Sequence, residues 1–181
     1  MKISLFYEFP LPRPWSDDDE HKLFQDGLDE VEAADKAGFK YLWATEHHFL
    51  TQYSHLSANE VFMPYVAAKT ENIHIGSGII NVTPPVNHPA RIAERVAMID
   101  HLSGGRFEFG MGRGSSTTEQ RGFGITDADL TKEMFDEVVG EFRKMWSADE
   151  YPGHDGKFFS MPARNVLPKP YSAPHPPMWV A

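Results

Sequence analysis

Short apolar runs alternate with longer amphipathic segments along most of this chain. The apolar runs begin near residues 3, 40, 74 and 106, so they recur about every 32 to 37 positions. Their length and their β-branched and aromatic content are typical of buried strands, whereas the segments between them carry apolar residues at helical spacing. This alternation of strand and helix predicts an α/β protein with a parallel sheet.

Five strands are predicted from these runs. The first four comprise residues 3–7, 39–45, 73–80 and 106–111, and the fifth begins at Met178. Two glycines lie inside the third run, where they weaken a strand unless another group must approach its backbone closely. A bulge in that strand is the structural alternative.

Helix signals separate the strands. Ser16, with Asp19 three residues further on, is placed to cap a helix that stops at Gly38. A second helix is predicted from about Asn59 to Lys69, with an interruption or bend near Pro64.

Two further helices are predicted from their apolar stripes. One opens at Pro89 and ends at Gly104, and a single long helix is capped by Thr126 with Asp129. The residues predicted to be buried are Ile92, Val96, Ile99 and Leu102 in the first, and Leu130, Met134, Val138, Phe142 and Met145 in the second. Residues 151–160 then predict a short hairpin around a Gly-His-Asp-Gly turn, followed by a proline-rich extended segment.

Parallel sheets with this rhythm occur as open doubly wound sheets or as eight-stranded TIM barrels. A dinucleotide-binding open sheet needs Gly-x-Gly-x-x-Gly directly after its first strand, but residues 9–14 form a proline-rich turn there. The sequence therefore favours a (β/α)8 TIM barrel, of which this chain contains about four and a half β/α units. Because barrel chemistry lies at the carboxyl ends of strands, residues 46–48, Asn81 and residues 112–114 form the candidate site.

Glu46, His47 and His48 directly follow the second strand. Alternation along a strand would place Glu46 and His48 on one side and His47 on the other. Adjacent histidines are therefore a poor chelating pair, and the chain lacks the His-Glu-x-x-His spacing of helical zinc sites, so we expect no metal site. The residues alone leave open whether the two imidazoles are structural hydrogen-bonding groups or catalytic ones.

Composition narrows the range of partners. The 181 residues are 41% hydrophobic and 24% charged with a net charge of −9, which suits a globular protein and argues against a nucleic-acid surface or an anionic membrane. The absence of cysteine excludes disulfides, thiolate metal sites and a cysteine nucleophile. The chain has no signal-like start and no long apolar run, so we expect a cytoplasmic protein.

Four segments of the chain carry a family resemblance. They are Trp-Ala-Thr-Glu-His-His-Phe (43–49), His-Pro-Ala-Arg-Ile-Ala-Glu (88–94), Asp-His-Leu-Ser-Gly-Gly-Arg-Phe (100–107) and His-Pro-Pro-Met-Trp-Val-Ala (175–181). In their order and approximate spacing they resemble landmarks of the luciferase-like flavin-dependent monooxygenases, the family of bacterial luciferase. The resemblance implies a single TIM-barrel domain, of which residues 1–181 are expected to be the amino-terminal part, inactive on their own.

The resemblance also implies an activity. The family uses reduced FMN and oxygen to oxidise an aldehyde or another small organic substrate, with a flavin reductase supplying the reduced FMN. The full-length protein is expected to be a homodimer or heterodimer. The first histidine of the family's Glu-His-His motif matters for catalysis and falls on His47, which is suited to exchange a proton near the flavin. His48 and Glu46 are expected beside it in the catalytic group.

A flavin site is implied at the third and fourth strands. Family members often hold a non-prolyl cis peptide beneath the flavin ring, and the matching bond here joins Gly78 to Ile79, with Asn81 at the end of the same strand. The loop after the fourth strand is similar to one that holds the flavin phosphate.

Arg113 is the residue of that loop expected to bind phosphate. It lies between Gly112 and Gly114, and its guanidinium can contact a phosphate bidentately. The family's second phosphate-binding arginine falls near Thr131 or Lys132, so Lys132 would keep the charge without the fork geometry.

Two other functions stay open at this point. A relative of the same fold uses a deazaflavin coenzyme for hydride transfer without oxygen, although the Glu-His-His motif favours the oxygen-dependent reaction. The chain could instead belong to a non-catalytic flavin-binding protein or partner subunit. Retention of both histidines and Arg113 favours catalysis.

Overall fold

A computed structural model describes residues 2–181, and the predicted alternation of strands and helices is confirmed. The strands are β1 (Ser4–Tyr7), β2 (Tyr41–Ala44), β3 (His74–Ser77), β4 (Ile80–Asn81), β5 (Phe107–Gly112), β6 (His154–Asp155), β7 (Ser160–Met161) and β8 (Met178–Val180). The helices are α1 (Asp19–Lys36), α2 (Asn59–Lys69), α3 (Pro89–Ser103), α4 (Thr117–Gly122), α5 (Leu130–Val139) and α6 (Glu141–Ser147). None of these helices combines the length and the apolarity needed to cross a bilayer.

The strands of the main sheet are all parallel. β1, β2, β3 and β5 are neighbours in that order. β4 also pairs with β5, where Asn81 lies opposite Gly112, and β8 pairs with the other edge of β5, where Val180 lies opposite Met111. Parallel pairing brings the carboxyl ends of these strands to one end of the sheet, where residues 46–48 also lie.

The third predicted strand is divided into two. β3 and β4 are separated at Gly78 and Ile79, whose peptide bond is cis, as the family resemblance implied. The Ser77 hydroxyl donates to Gly110 O at 2.7 Å and accepts from the Gly110 N–H at 2.9 Å. The prediction of one continuous strand over residues 73–80 was wrong because this side chain takes the place of a backbone partner in the ladder.

Helices pack against one face of the sheet. Phe109 of β5 contacts Phe142 and Trp146 of α6 edge-to-face, at ring-centroid distances of 5.4 and 6.0 Å. Leu42 and Ile75 of the neighbouring strands are fully buried in the same core. Burial of each such side chain stabilises the fold by about 1.5–3 kcal/mol, so this face holds the strands in place.

The first helix differs from prediction at its start, whereas the second has its predicted ends, Asn59 and Lys69. α1 begins at Asp19, and Ser16 contacts the Asp19 carboxylate through its hydroxyl at 2.7 Å and its N–H at 2.6 Å instead of capping the helix backbone. α2 continues through Pro64 without interruption. The N–H that Pro64 lacks would have paired with Glu60 in the first turn, so the loss falls at the end of the helix.

α3 follows its predicted ends but not its whole predicted stripe. Pro89 is the first helical residue, and Gly104 ends the helix in the left-handed region with φ of 64°. Leu102 is 59% exposed, so its predicted burial was wrong. The buried face of the helix continues from Ile99 to Ser103, four residues further on. A step of four residues returns closer to the same side of a helix than the step of three that leads to Leu102.

The predicted long helix is two helices, α5 and α6, which meet at Gly140. Glycine costs about 1 kcal/mol in a helix interior relative to alanine, which favours a break at this position. Leu130 is only half-buried. The buried part of the predicted stripe consists of Met134, Val138, Phe142 and Met145.

The predicted hairpin forms with a different turn. His154 and Asp155 belong to β6, which pairs antiparallel with β7, so they are not turn residues as predicted. The turn comprises residues 156–159. Glu137 of α5 determines its position, because its carboxylate accepts the backbone N–H groups of residues 157–159 at 3.1 to 3.2 Å.

Candidate active site

Glu46 lies at the centre of the hydrogen bonds that follow β2. Its carboxylate is 3.0 Å from Nε2 of His48, and it accepts hydrogen bonds from the Asn81 N–H and from Nδ2 of Asn87, each at 3.1 Å. The residue is 8% exposed. A buried carboxylate needs such partners to offset its desolvation, so Glu46 ties the end of β2 to β4 and to the loop before α3.

His48 is the imidazole on the Glu46 side. The hydrogen bond to Glu46 raises the pKa of His48, against the effect of burial, and the charges of Glu46, Glu119 and Glu60 add to the rise. Its ring also contacts Phe123 edge-to-face at 4.9 Å. His48 is therefore a histidine that retains its proton at a higher pH than usual.

His47 points to a different set of partners, as the alternation of side chains predicted. Its Nδ1 lies 3.2 Å from Oε1 of Glu119, and its ring contacts Tyr53 edge-to-face at 5.2 Å. The side chain is 23% exposed. When Nδ1 carries the proton and donates to Glu119, Nε2 is left with a lone pair that can accept a proton.

Glu119 is a site residue that our sequence reasoning missed. It stands on α4, a helix absent from the sequence prediction, and it also accepts the His48 N–H at 2.7 Å. The Ser116 hydroxyl caps α4 by accepting the Glu119 N–H at 3.3 Å. The signal was present, because Ser-Thr-Thr-Glu at residues 116–119 has capping-box spacing. The carboxylate of that box turns to the two histidines.

Arg113 and Lys132 are brought together at the carboxyl end of β5. Nη1 of Arg113 donates to the Thr131 hydroxyl at 2.8 Å, and both cations line a cavity of 350 Å³ with Asp136. Nζ of Lys132 lies 3.5 Å from Asp129 on the exposed surface. The structure therefore places these two predicted phosphate-binding residues on the same cavity.

Gly112 and Gly114 allow the loop after β5 to lie against the end of β4. A Cβ atom on Gly114 would lie 2.7 Å from Nδ2 of Asn81, and its φ of +68° also disfavours other residues. A Cβ atom on Gly112 would lie 3.0 Å from Ile79. These contacts gather four of the predicted cofactor-binding residues into one small area.

A second cavity of 340 Å³ lies beside the cis peptide. Gly78 and Ile79 line it together with the aromatic side chains of Phe6, Trp43 and Trp179. A third cavity of 240 Å³, lined by Ile79 and by residues 112–115, shares Ile79 with it and Arg113 with the cavity of Arg113 and Lys132. We call these three neighbouring cavities together the strand-end cleft. It is apolar at one end and basic at the other.

Asn59 is a buried residue next to the cleft. Our sequence reasoning missed it. Its Nδ2 donates to the carbonyl groups of Ala44 and Ile79, each at 3.2 Å, and it is fully buried. It thus connects the end of β2 to the cis peptide. Its position at the start of a helix gave no signal of this role.

A larger cavity of 510 Å³ lies elsewhere, between α1 and α2. Phe24, Leu28 and Phe62 contribute to its lining, and it contains none of the predicted site residues. We therefore place the candidate site in the smaller strand-end cleft. Within residues 2–181, no three His, Asp or Glu side chains are placed to hold a metal ion.

Sequence comparison supports one family. A profile described as luciferase-like monooxygenase matches residues 6–181. The oxygenase component of the flavin-dependent trigonelline monooxygenase of Acinetobacter baylyi is 29% identical over 184 residues, which cover 100% of this chain and 49% of that protein. The alkanal monooxygenase alpha chain of the Kryptophanaron alfredi symbiont is 31% identical over 157 residues, covering 82% and 40%. The chain spans about half the length of these curated relatives.

Solved structures show the same fold. Monooxygenase RslO1 from Streptomyces bottropensis superposes with a TM-score of 0.88 at 29% identity, covering 99% of this chain and 53% of that one. The oxygenating constituent of 3,6-diketocamphane monooxygenase from Pseudomonas putida, solved with FMN, has a TM-score of 0.87 at 20% identity, covering 99% and 51%. An F420-dependent secondary alcohol dehydrogenase has a TM-score of 0.80 at 20% identity, with the same coverage. The predicted TIM-barrel fold is confirmed, and this chain is a partial barrel.

Proposed function

Because the chain belongs to the luciferase-like monooxygenase family, we propose that it forms part of an enzyme that uses reduced FMN and oxygen to oxidise an aldehyde or another small organic substrate. The supply of reduced FMN would come from a separate flavin reductase. The name of the trigonelline relative, an oxygenase component, supports such a division of labour. We further propose that residues 1–181 are the amino-terminal part of one barrel domain, because relatives extend to about twice this length.

The observation that carries this proposal is the polarity of the strand-end cleft. FMN has a planar aromatic ring system that a ribityl chain joins to a phosphate. The cleft has aromatic side chains and the Gly78–Ile79 peptide at one end, and Arg113 with Lys132 at the other. A flavin laid along the cleft would therefore have its ring beside aromatic side chains and its phosphate beside two cations, whose charge exceeds that of the Asp136 carboxylate on the same cavity.

The residues of the cleft fit each part of FMN. The ring would lie against Gly78 and Ile79, and the phosphate would be held by Arg113 and Lys132. Gly114 has no side chain, so the loop that would hold the phosphate can lie against Asn81, which a Cβ atom at position 114 would contact. Reduced FMN supplies the activation of oxygen, and the protein supplies binding, orientation and proton transfer.

The histidines provide the proton-transfer groups near this cleft. His47 can hold or release a proton at Nε2 while its Nδ1 remains oriented by Glu119. The hydrogen bond to Glu46 raises the pKa of His48 and so favours its protonated form, in which it would act as a hydrogen-bond donor in the site wall. We propose His47 as the catalytic acid–base group. Glu46 and His48 would form the wall of the site beside it.

Cofactor titration and product analysis of the full-length protein test the proposal. We expect tight binding of FMN, and oxygenated product when reduced FMN, oxygen and a panel of aldehydes, ketones and alkanes are supplied. Omission of oxygen should abolish the product. Turnover that continues without oxygen would contradict a monooxygenase.

A deazaflavin-dependent hydride transfer is the second candidate function. The structural similarity to an F420-dependent alcohol dehydrogenase supports it at the level of fold. The visible absorbance of the cofactor that copurifies with the protein separates the two coenzymes. If turnover by the full-length protein requires a second subunit, a non-catalytic partner role is supported instead.

A further inference from the structure

Glu108 is a buried carboxylate on the face of the sheet opposite the helices. Its neighbours along β5, Phe107 and Phe109, belong to the hydrophobic core on the helical face. Side chains alternate along a strand, so Glu108 points to the other face. The residue is 4% exposed, and the proton-transfer chemistry proposed above does not use it.

Two ring N–H groups account for both oxygens of this carboxylate. Nδ1 of His74 on β3 lies 2.9 Å from Oε1, and Nε1 of Trp179 on β8 donates to Oε2 at 2.8 Å. Hydrogen bonds to a charged acceptor are about twice as strong as neutral ones. The indole of Trp179 is thereby held in one orientation.

Trp179 in turn contacts Trp43. Their ring centroids are 5.6 Å apart and their planes cross at 82°, which is the favoured edge-to-face arrangement. The Trp43 ring lies directly on Gly76, where a Cβ atom would be 2.3 Å from the ring. The two indoles form a continuous aromatic surface across β2, β3 and β8.

This surface is the apolar end of the strand-end cleft. Trp43 and Trp179 line the 340 Å³ cavity with Gly78 and Ile79. An indole of Trp179 released from Glu108 could rotate about its side-chain torsions and occupy part of that cavity. The hydrogen bond therefore determines how much of the cavity is available to a planar ligand.

We propose that Glu108 is a positioning residue for the flavin site, acting through Nε1 of Trp179 to hold the Trp43–Trp179 surface against which the cofactor ring lies. This inference rests on the proposed function. Glu108 does not line the cleft, but through Trp179 it would affect the binding of the flavin ring and not of the phosphate. The consequence is that loss of the hydrogen bond should weaken FMN and riboflavin equally.

A double-mutant cycle in the full-length protein tests the proposal. Glu108→Met removes both acceptor oxygens with little change in side-chain length, and Trp179→Phe removes the N–H but keeps an aromatic ring. We expect each variant to weaken FMN binding about three- to tenfold, and the double variant to be no weaker than the worse single variant, because both changes break one interaction. Riboflavin should lose the same factor, and the visible absorbance of the bound flavin should shift.

Trp146→Phe is the matched control. This indole donates to Ala93 O at 3.1 Å on the helical face, away from the cleft, so its loss should lower stability without changing flavin affinity. Circular dichroism and thermal melting establish that each variant is folded. If Glu108→Met does not fold, Glu108→Gln, which leaves one acceptor oxygen for the ring N–H groups of His74 and Trp179, must still weaken FMN and riboflavin equally.

The outcomes separate the two proposals. Wild-type protein that binds no flavin would overturn the proposed function and this inference with it. Flavin binding that is unchanged in both single variants, or losses that multiply in the double variant, would overturn the assignment of Glu108 alone. Weaker binding of FMN with unchanged riboflavin would also overturn it, because the effect would then lie at the phosphate.

Discussion

Nδ1 of His47 lies 3.2 Å from Oε1 of Glu119, and the same oxygen accepts the N–H of His48 at 2.7 Å. Glu119 stands on α4, a few residues after Arg113 in the same connection. The proposed catalytic histidine and the proposed phosphate-binding loop are therefore joined by one buried carboxylate. Order in that loop and orientation of the imidazole should depend on each other.

His47→Ala in the full-length protein should lower turnover by roughly two to four orders of magnitude, the usual contribution of a general acid or base. Flavin affinity should stay close to that of the wild type. Steady-state kinetics at saturating flavin and substrate measure the effect. His21→Ala, on the exposed surface of α1, is the control. Unchanged turnover in His47→Ala would exclude the catalytic role.

Glu119→Ala should lower turnover about 10- to 150-fold, because a hydrogen bond to a charged acceptor contributes about 1.5–3 kcal/mol to holding the imidazole. Glu119→Gln keeps an acceptor oxygen for the His48 N–H and should recover part of the loss. The comparison of the two variants by turnover at saturating substrate is the test. Equal activity of Glu119→Ala and wild type would mean that His47 needs no such orientation.

Arg113→Ala should weaken FMN far more than riboflavin, since the lost contact is with the phosphate. The expected loss of about 1.5–3 kcal/mol corresponds to roughly 10- to 150-fold in the dissociation constant. Lys132→Ala should have a smaller effect, because that side chain is more exposed and lacks the planar fork. Titration of each variant with both flavins measures this. Equal weakening of the two flavins would remove Arg113 from the phosphate site.

The fold was predictable because the same pattern, a short apolar run followed by a helical segment, recurs along the chain. Each strand of the barrel is a short apolar run, and each run is followed by helical spacing, so one ambiguous run, such as that containing Gly76 and Gly78, did not obscure the pattern. The positions of Glu46 and Arg113 followed from the same logic, since both lie within two residues of the end of a strand. Local sequence was sufficient there because strand ends converge in a parallel sheet.

Contacts between distant segments were not predictable in this way. Glu119 meets His47 across 72 positions, and only the packing of α4 brings them together. Leu102 looked like a core residue by its type, but its exposure depends on where α3 faces the sheet. The hairpin turn shifted because Glu137, on a different element, captures its backbone N–H groups. The contact of Glu119 and the position of the hairpin turn thus depend on tertiary partners that local spacing does not encode.

Asp35 should control stability at acid pH. It accepts the N–H groups of Glu71, Asn72 and Ile73 at 2.7 to 3.0 Å. Burial alone would raise the pKa of Asp35, but these hydrogen bonds and the charge of Arg106 lower it. A carboxyl group with a lowered pKa in the folded state stabilises the protein above its unfolded value, about 3.9, and this contribution is lost as pH falls through the folded value.

Asp35→Asn should therefore lower the free energy of unfolding at pH 7 by about 2–4 kcal/mol, because one oxygen acceptor and the charge are lost. The difference from wild type should shrink as the pH falls below about 4. Urea unfolding of the full-length protein between pH 3 and pH 7 measures it. Asp29→Asn, on the exposed side of α1, is the control. A constant difference across this pH range would contradict the assignment.

Residues 1–181 expressed alone should self-associate. In the described part of the chain, β1 pairs only with β2 and β8 only with β5, so each has an edge that can pair with another molecule. Phe6 and Val180 are 62% and 66% exposed near these edges. Sedimentation velocity and ANS fluorescence should report oligomers and accessible apolar surface, and Val180→Lys should reduce both. A monodisperse monomer that binds no dye would refute this expectation.

The contact between Trp43 and Gly76 also limits the order in which substitutions at this site can occur during evolution. Since a Cβ at position 76 would lie 2.3 Å from the indole, Gly76→Ala is tolerated only after the residue at position 43 has become smaller. The reverse order passes through a clashing intermediate. The two positions should therefore vary together among descendants of this protein, with the change at position 43 occurring first.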